Sequence, residues 1–113
     1  MSIQNEKMAD YPFLSEMVRD PYFPPALVEK GQAILQDLCR TLETSPPENL
    51  DELYALTHAA TDRFNDLQAE FEDNDSEIET AAREAIANDF AFIAQAYGFE
   101  EAEVEDLIAT RDW

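Results

Sequence analysis

An all-α fold, a helical bundle of four to five helices with an acidic antiparallel helix hairpin, is predicted by three features of the sequence. Apolar residues recur at spacings of three and four rather than in alternation. Only two glycines, Gly31 and Gly98, are present, which leaves little material for tight β-hairpins. The prolines fall where helices begin or stop, as at Pro12, Pro21, Pro24 and Pro25. With 45% hydrophobic and 11% aromatic residues in 113, the chain has enough apolar material for one core. It is therefore read as a single helical domain over 1–113, with residues 1–9 outside the helical pattern and candidates for disorder.

A first short helix is expected after Asp10, with Pro12 early in it and Leu14, Met17 and Val18 on its apolar side. Asp20-Pro21 ends it, because the residue before a proline is pushed out of the helical region. Pro24 and Pro25 open a second helix to about Leu42, burying Leu27, Gly31, Ile34, Leu35, Leu38 and Leu42. Gly31 is either a point of close helix packing or a weak point, since an interior glycine costs roughly 1 kcal/mol relative to alanine.

The stretch ETSPPENL reads as a loop. Asn49 with Glu52 forms a capping-box pattern at the start of a third helix. Along it Leu53, Thr57, Ala60, Phe64, Leu67 and Phe71 give the strongest amphipathic pattern in the chain. Ser76 with Glu79 repeats the capping-box spacing and opens a fourth helix through Ile78, Ala82, Ile86, Phe90, Ile93 and Tyr97. Gly98 suits a left-handed C-cap with Phe99 as its apolar contact. A short last helix near 100–110 would bury Val104, Leu107 and Ile108. The third and fourth helices form the predicted hairpin, and EFEDNDSEIE, residues 70–79, is its corner.

The net charge is −19, and it is uneven: 8 acids and 4 bases in residues 1–50 give −4, while 18 acids and 3 bases in 51–113 give −15. Such a charge favours a basic protein partner. It argues against direct nucleic-acid binding, which needs cations to displace counterions, and against an anionic membrane surface. No apolar run approaches the length of a membrane span. The N-terminus lacks the basic start and apolar stretch of a secretory signal, and the single Cys39 fits a reducing compartment. Cytoplasmic residence is expected.

The acidic corner invites a metal reading. Placing Asp73 first in a calcium loop puts Asp75, Glu77 and Glu84 at ligand positions, but Ile78 then stands where the loop's sharp turn requires glycine. Neither a metal site nor any cofactor is predicted. His58 and Asp62 share a helical face, without the HExxH or Glu-x-x-His spacing of metal-binding helices. Cys39 beside Leu38 reads as a small buried hydrophobe. No catalytic residue is assigned.

What remains is a ridge. Asp62, Asp66 and Glu70 step by four along the polar face of the third helix and continue through Glu72, Asp73, Asp75 and Glu77, about 20 Å from helical rise. A solvated face normally mixes lysine with glutamate, whereas here only Arg63 and Arg83 lie nearby.

The segments DPYFPPALVEKGQAILQDLC, LTHAATDRFNDLQAEFEDNDSEIETAAREAIANDF and the ending AYGF…RDW together resemble a family of small acidic bacterial proteins of unknown function, over nearly the whole chain. The resemblance implies a bacterial cytoplasmic protein and transfers no catalytic residue. Size and charge are also similar to those of helical toxin-immunity proteins, by analogy alone. The resulting expectation is a non-enzymatic acidic binding protein, of immunity or inhibitor type, that blocks a basic protein such as a toxin. Its interface would be the ridge, with Tyr54 and Trp113 as aromatic anchors. The alternatives are a small metal-dependent or acid–base enzyme using His58 and nearby carboxylates, and a structural or self-associating helical module. Oligomeric state is left open.

Overall fold

The computed structural model describes residues 3–113. Among them it has six helices and no strand: α1 Glu6–Ala9, α2 Ser15–Arg19, α3 Pro25–Thr44, α4 Leu50–Asp73, α5 Thr80–Ala96 and α6 Val104–Leu107. The all-α expectation holds, with more helices than the predicted four to five. None is long and apolar enough to cross a membrane among the described residues.

The additional helix lies where disorder was expected. Asn5 caps α1 by accepting the Lys7 N–H at 2.8 Å, and Met8 is fully buried. The backbone N–H groups of Gln4 and Asn5 donate to the Glu43 carboxylate at 2.8 and 3.0 Å. The Asn5 side-chain amide donates to the Ala96 carbonyl at 2.9 Å. Residues 3–9 are thus strapped to α3 and α5; Met1 and Ser2 lie outside the described residues.

The predicted start of the next helix is corrected too. α2 begins at Ser15, because Leu14 adopts left-handed backbone with φ 54°. Its N–H donates to Asp89 Oδ2 at 2.7 Å, and the Tyr11 hydroxyl donates to Oδ1 at 2.7 Å. A buried carboxylate on α5 therefore fixes the entry to α2. In so short a helix Val18 points outward, 60% exposed, and not into the core as its spacing suggested.

Pro25 takes the first helical position of α3, where its missing N–H costs nothing. All six predicted inward residues are buried, with Val28 and Cys39 beside them. Gly31 is a point of close packing. A Cβ there would stand 2.8 Å from Leu14 Cδ1 and 3.2 Å from Phe64 Cε1.

Asn49 caps α4 as predicted, accepting the Glu52 N–H at 2.9 Å. The return bond of the box shifts by one residue, since Glu52 Oε1 accepts from Glu48 N–H at 3.1 Å. α4 lies antiparallel to α3, as the pairs Lys30–Glu70 and Arg63–Asp37 show. It is this α3–α4 pair, and not α4 with α5, whose backbones run closest. α5 reaches α4 through side chains, with Phe90 edge-on to Phe64 at 6.0 Å. Fully burying a ring such as Phe64 or Phe90 contributes roughly 1.5–3 kcal/mol.

The second capping box does not form. Glu79 is the N-cap of α5 and makes no side-chain capping bond, while the Ser76 hydroxyl donates to the Tyr22 carbonyl at 3.1 Å. The end of α5 is as predicted. Gly98 has φ 92°, its N–H reaches Gln95 O at 3.1 Å, and the Phe99 N–H reaches Ala94 O at 2.8 Å. Leu107 and Ile108 are buried, and Val104 is half-buried.

Candidate interaction surface

The face of α4 opposite Phe64, Leu67 and Phe71 carries the ridge. Asp62 and Asp66 are exposed, as are Glu72, Asp73, Asp75 and Glu77. Glu70 is half-buried and accepts from the Lys30 ammonium of α3. No other ridge carboxylate forms an ion pair among the described residues. Arg63, on the same helix, is taken by Asp37 at 3.1 Å, which also holds Arg40 at 2.9 Å.

The corner has its own geometry. α4 ends through the same hydrogen-bond pattern as α5: Ser76 N–H reaches Phe71 O at 2.9 Å and Asp75 N–H reaches Glu72 O at 3.2 Å. Here the left-handed position is Asp75, φ 59°, instead of a glycine. Residues 76–79 then run without helix before α5, and their sides alternate. Ser76 and Ile78 are buried at 6% and 5%, while Asp75 and Glu77 face outward. Burial of Ile78 and the outward direction of its neighbours are unlike a calcium loop, whose ligands converge. Among the described residues, no group of three or more His, Cys, Asp or Glu side chains is placed to hold a metal ion.

The two anchors named from sequence lie elsewhere. Tyr54 is half-buried near the start of α4, stacked on His58 at 6.2 Å, and its hydroxyl receives the Glu103 N–H at 3.4 Å. Nineteen residues of helical rise, about 28 Å, separate it from Asp73. Trp113 is only 8% exposed, edge-on to Phe64 at 6.3 Å, so it packs in the core and is not an exposed anchor. The C-terminal turn is pinned there by Asn65, which accepts the Asp112 N–H at 2.8 Å and donates to Thr110 O at 3.0 Å.

Sequence spacing missed the exposed apolar side chains. Among the described residues these are Val18 at 60% and Tyr22 at 46%. Tyr22 neighbours the corner through the Ser76–Tyr22 hydrogen bond and packs edge-on to Phe23, which in turn meets Phe71.

His58 and Cys39 have structural surroundings. His58 Nε2 lies 2.7 Å from the Asp106 carbonyl oxygen, so this nitrogen is the donor and the ring ties α4 to α6. Cys39 is fully buried, and burial pushes its thiol up to about 12, far from a reactive thiolate.

Residues 7–113 match the model of a family of unknown function, DUF5713. The chain belongs to that family. No curated protein matches it, and no solved structure does. Membership of DUF5713 fits the resemblance read from the sequence and brings no activity with it.

Proposed function

We propose that the chain is a non-enzymatic acidic binding protein of inhibitor or immunity type, whose partner is a basic protein and whose interface includes the ridge from Asp62 to Glu77. The observation that carries this is that six of the seven ridge carboxylates form no ion pair among the described residues. Three features make the arrangement costly to the isolated fold. Asp62, Asp66 and Glu70 repeat like charge at i,i+4, which destabilises a helix slightly. The last turn of α4 contains no base, although the helix dipole favours cations there. Asp75 holds a backbone conformation that favours glycine. A basic partner would relieve the charge repulsion and would be drawn in faster by the long-range field.

The test is capture from a lysate of the source organism by the wild-type chain, by Asp66→Lys/Asp73→Lys/Glu77→Lys, and by Glu100→Lys/Glu101→Lys/Glu103→Lys. The last variant changes net charge equally at an exposed site away from the ridge. The expected result is one basic protein held at physiological salt by the wild type and the control, and released by the ridge variant. Its association with the ridge variant should be slowed at least about tenfold at low salt. Equal retention by the wild type and both variants would remove the ridge from the interface.

A further inference from the structure

A charged ridge steers an encounter, but tight complexes are anchored by apolar side chains excluded from water. Among the described residues, the exposed large apolar side chains Val18 and Tyr22 mark one such feature. A shallow cleft opens between α2 and α3, lined by Met17, Val18, Phe23, Pro25 and Val28 and by the polar Glu29 and Gln32; the exposed Tyr22 adjoins it next to Phe23. Its volume is about 140 Å³. That is well under the roughly 300 Å³ of the smallest usual small-molecule pockets, and it suits a single inserted side chain.

The charge around the cleft identifies what kind of side chain arrives and on what. The Ser76 hydroxyl bound to the Tyr22 carbonyl sets the exposed Asp75 and Glu77 next to Tyr22, and Glu29 borders the cleft. Of the nearby cations, Lys30 is engaged with Glu70, which leaves Arg19 against several carboxylates. An anionic membrane or a nucleic acid is repelled by such surroundings, and a second copy of a chain carrying −19 is repelled as well.

We propose that the cleft between α2 and α3, with the adjoining Tyr22, is the apolar anchor point for the basic partner: it receives one bulky aliphatic side chain from a Lys- or Arg-bearing segment, whose cations meet Asp75 and Glu77. The inference rests on the ridge reading above and adds to it where the complex is fastened and by what chemistry. The anchors are Val18 and Tyr22, in place of Tyr54 and Trp113.

The test uses two short synthetic peptides of equal charge, one amphipathic peptide of Leu and Lys and one with every Leu replaced by Ser. Each is titrated at physiological ionic strength into the isotope-labelled full chain, followed by NMR, and into Val18→Ser/Tyr22→Ser, followed by fluorescence anisotropy. Both substituted side chains are exposed, circular dichroism verifies the fold of the variant, and the NMR map does not depend on it. The expected result is that the Leu peptide shifts resonances in residues 17–29 and 75–77 and binds the variant roughly tenfold more weakly. The Ser peptide should bind only at low salt and be indifferent to the substitutions. Shifts confined to the Asp62–Glu70 face, or a Leu peptide indifferent to the variant, would overturn the anchor and leave the ridge reading standing. Failure of both peptides to bind even at low salt would overturn both. Concentration-dependent shifts of Val18 and Tyr22 in the chain alone would assign the cleft to a second copy and overturn the proposal.

Discussion

At the N-terminal seam two carboxylates serve five donors. Asp89 accepts from the Tyr11 hydroxyl and the Leu14 amide, and Glu43 accepts from the amides of Gln4 and Asn5 and from the Tyr97 hydroxyl. At the corner of α4 and α5, Glu72, Asp73, Asp75 and Glu77 face outward, and none has an ion-pair partner among the described residues. The same chemical group holds the chain together in one region and is left to solvent in the other. In the seam, removing Asp89 orphans the buried Leu14 amide and the part-buried Tyr11 hydroxyl. At the corner, removing a carboxylate breaks no ion pair among the described residues.

The largest effect should come from Asp89→Ala. It leaves the Leu14 N–H and the Tyr11 hydroxyl without their acceptor, and unpaired buried donors cost about 1–3 kcal/mol each. A loss of about 2–4 kcal/mol in urea unfolding is expected, with Asp89→Asn losing less because one acceptor oxygen remains. Equal stability of Asp89→Ala and the wild type would mean that the Asp89 contacts do not hold the entry to α2.

The two seam carboxylates should also respond to pH with opposite signs. Burial raises Asp89 above its ordinary 3.8, with Glu16 adding to it, against hydrogen bonds from Tyr11 and Leu14 that lower it. The proton-linked part of its contribution is fully present below pH 3.8 and is lost as pH rises through the raised value. For Glu43 burial also raises, but the Tyr97 hydroxyl and the Gln4 and Asn5 amides outweigh it, and the carboxyl ends below 4.5. Its contribution is present above pH 4.5 and is lost as pH falls through the lowered value. Urea unfolding across pH should therefore show Glu43→Gln flattening the acid limb and Asp89→Asn flattening the limb above pH 3.8. Profiles unchanged from wild type in both variants would place the pH dependence elsewhere.

How far each region was legible in the sequence follows the same division. α4 is legible because six of its seven buried positions, all but Thr61, fall at steps of three and four. Gly98 announced its own cap. Asp75 does the same geometric work without the residue that signals it, so the end of α4 was hidden. The Ser76–Glu79 spacing matched a capping box, yet burial of Ile78 holds the segment extended and Tyr22 takes the Ser76 hydroxyl, a contact 54 residues away in sequence. Val18 was misplaced because a five-residue helix is too short for spacing to define a face. Trp113 has no periodic neighbours, and Asn65, which accepts the Asp112 N–H at the chain end, lies 47 residues from Asp112 in sequence. Asp89 could have been found, since it lies on the apolar stripe three residues after Ile86, where an acid demands partners.

Asp75→Gly tests the corner's backbone apart from its charge. Gly relieves the left-handed strain, about 1–3 kcal/mol for a non-glycine residue and less for aspartate, against a glycine entropy cost of about 0.5–1 kcal/mol. A net gain of about 0.5–1 kcal/mol in urea unfolding is expected. A net loss would mean that the Asp75 side chain makes a folding contact.

The smallest effect, and the one that separates the two regions most cleanly, belongs to Asp66→Lys/Asp73→Lys/Glu77→Lys. It removes like-charge neighbours and places a cation in the last turn of α4, where the helix dipole favours one. Thermal unfolding at low salt should shift upward by roughly 1–3 °C, and the gain should shrink as salt screens the repulsion. Three charge reversals that leave the fold slightly better off, set beside one seam substitution that costs several kilocalories, would locate the corner's acids outside the requirements of folding. A fall of several degrees would instead show that the corner carboxylates hold the fold, and the case for a partner there would lose its physical basis.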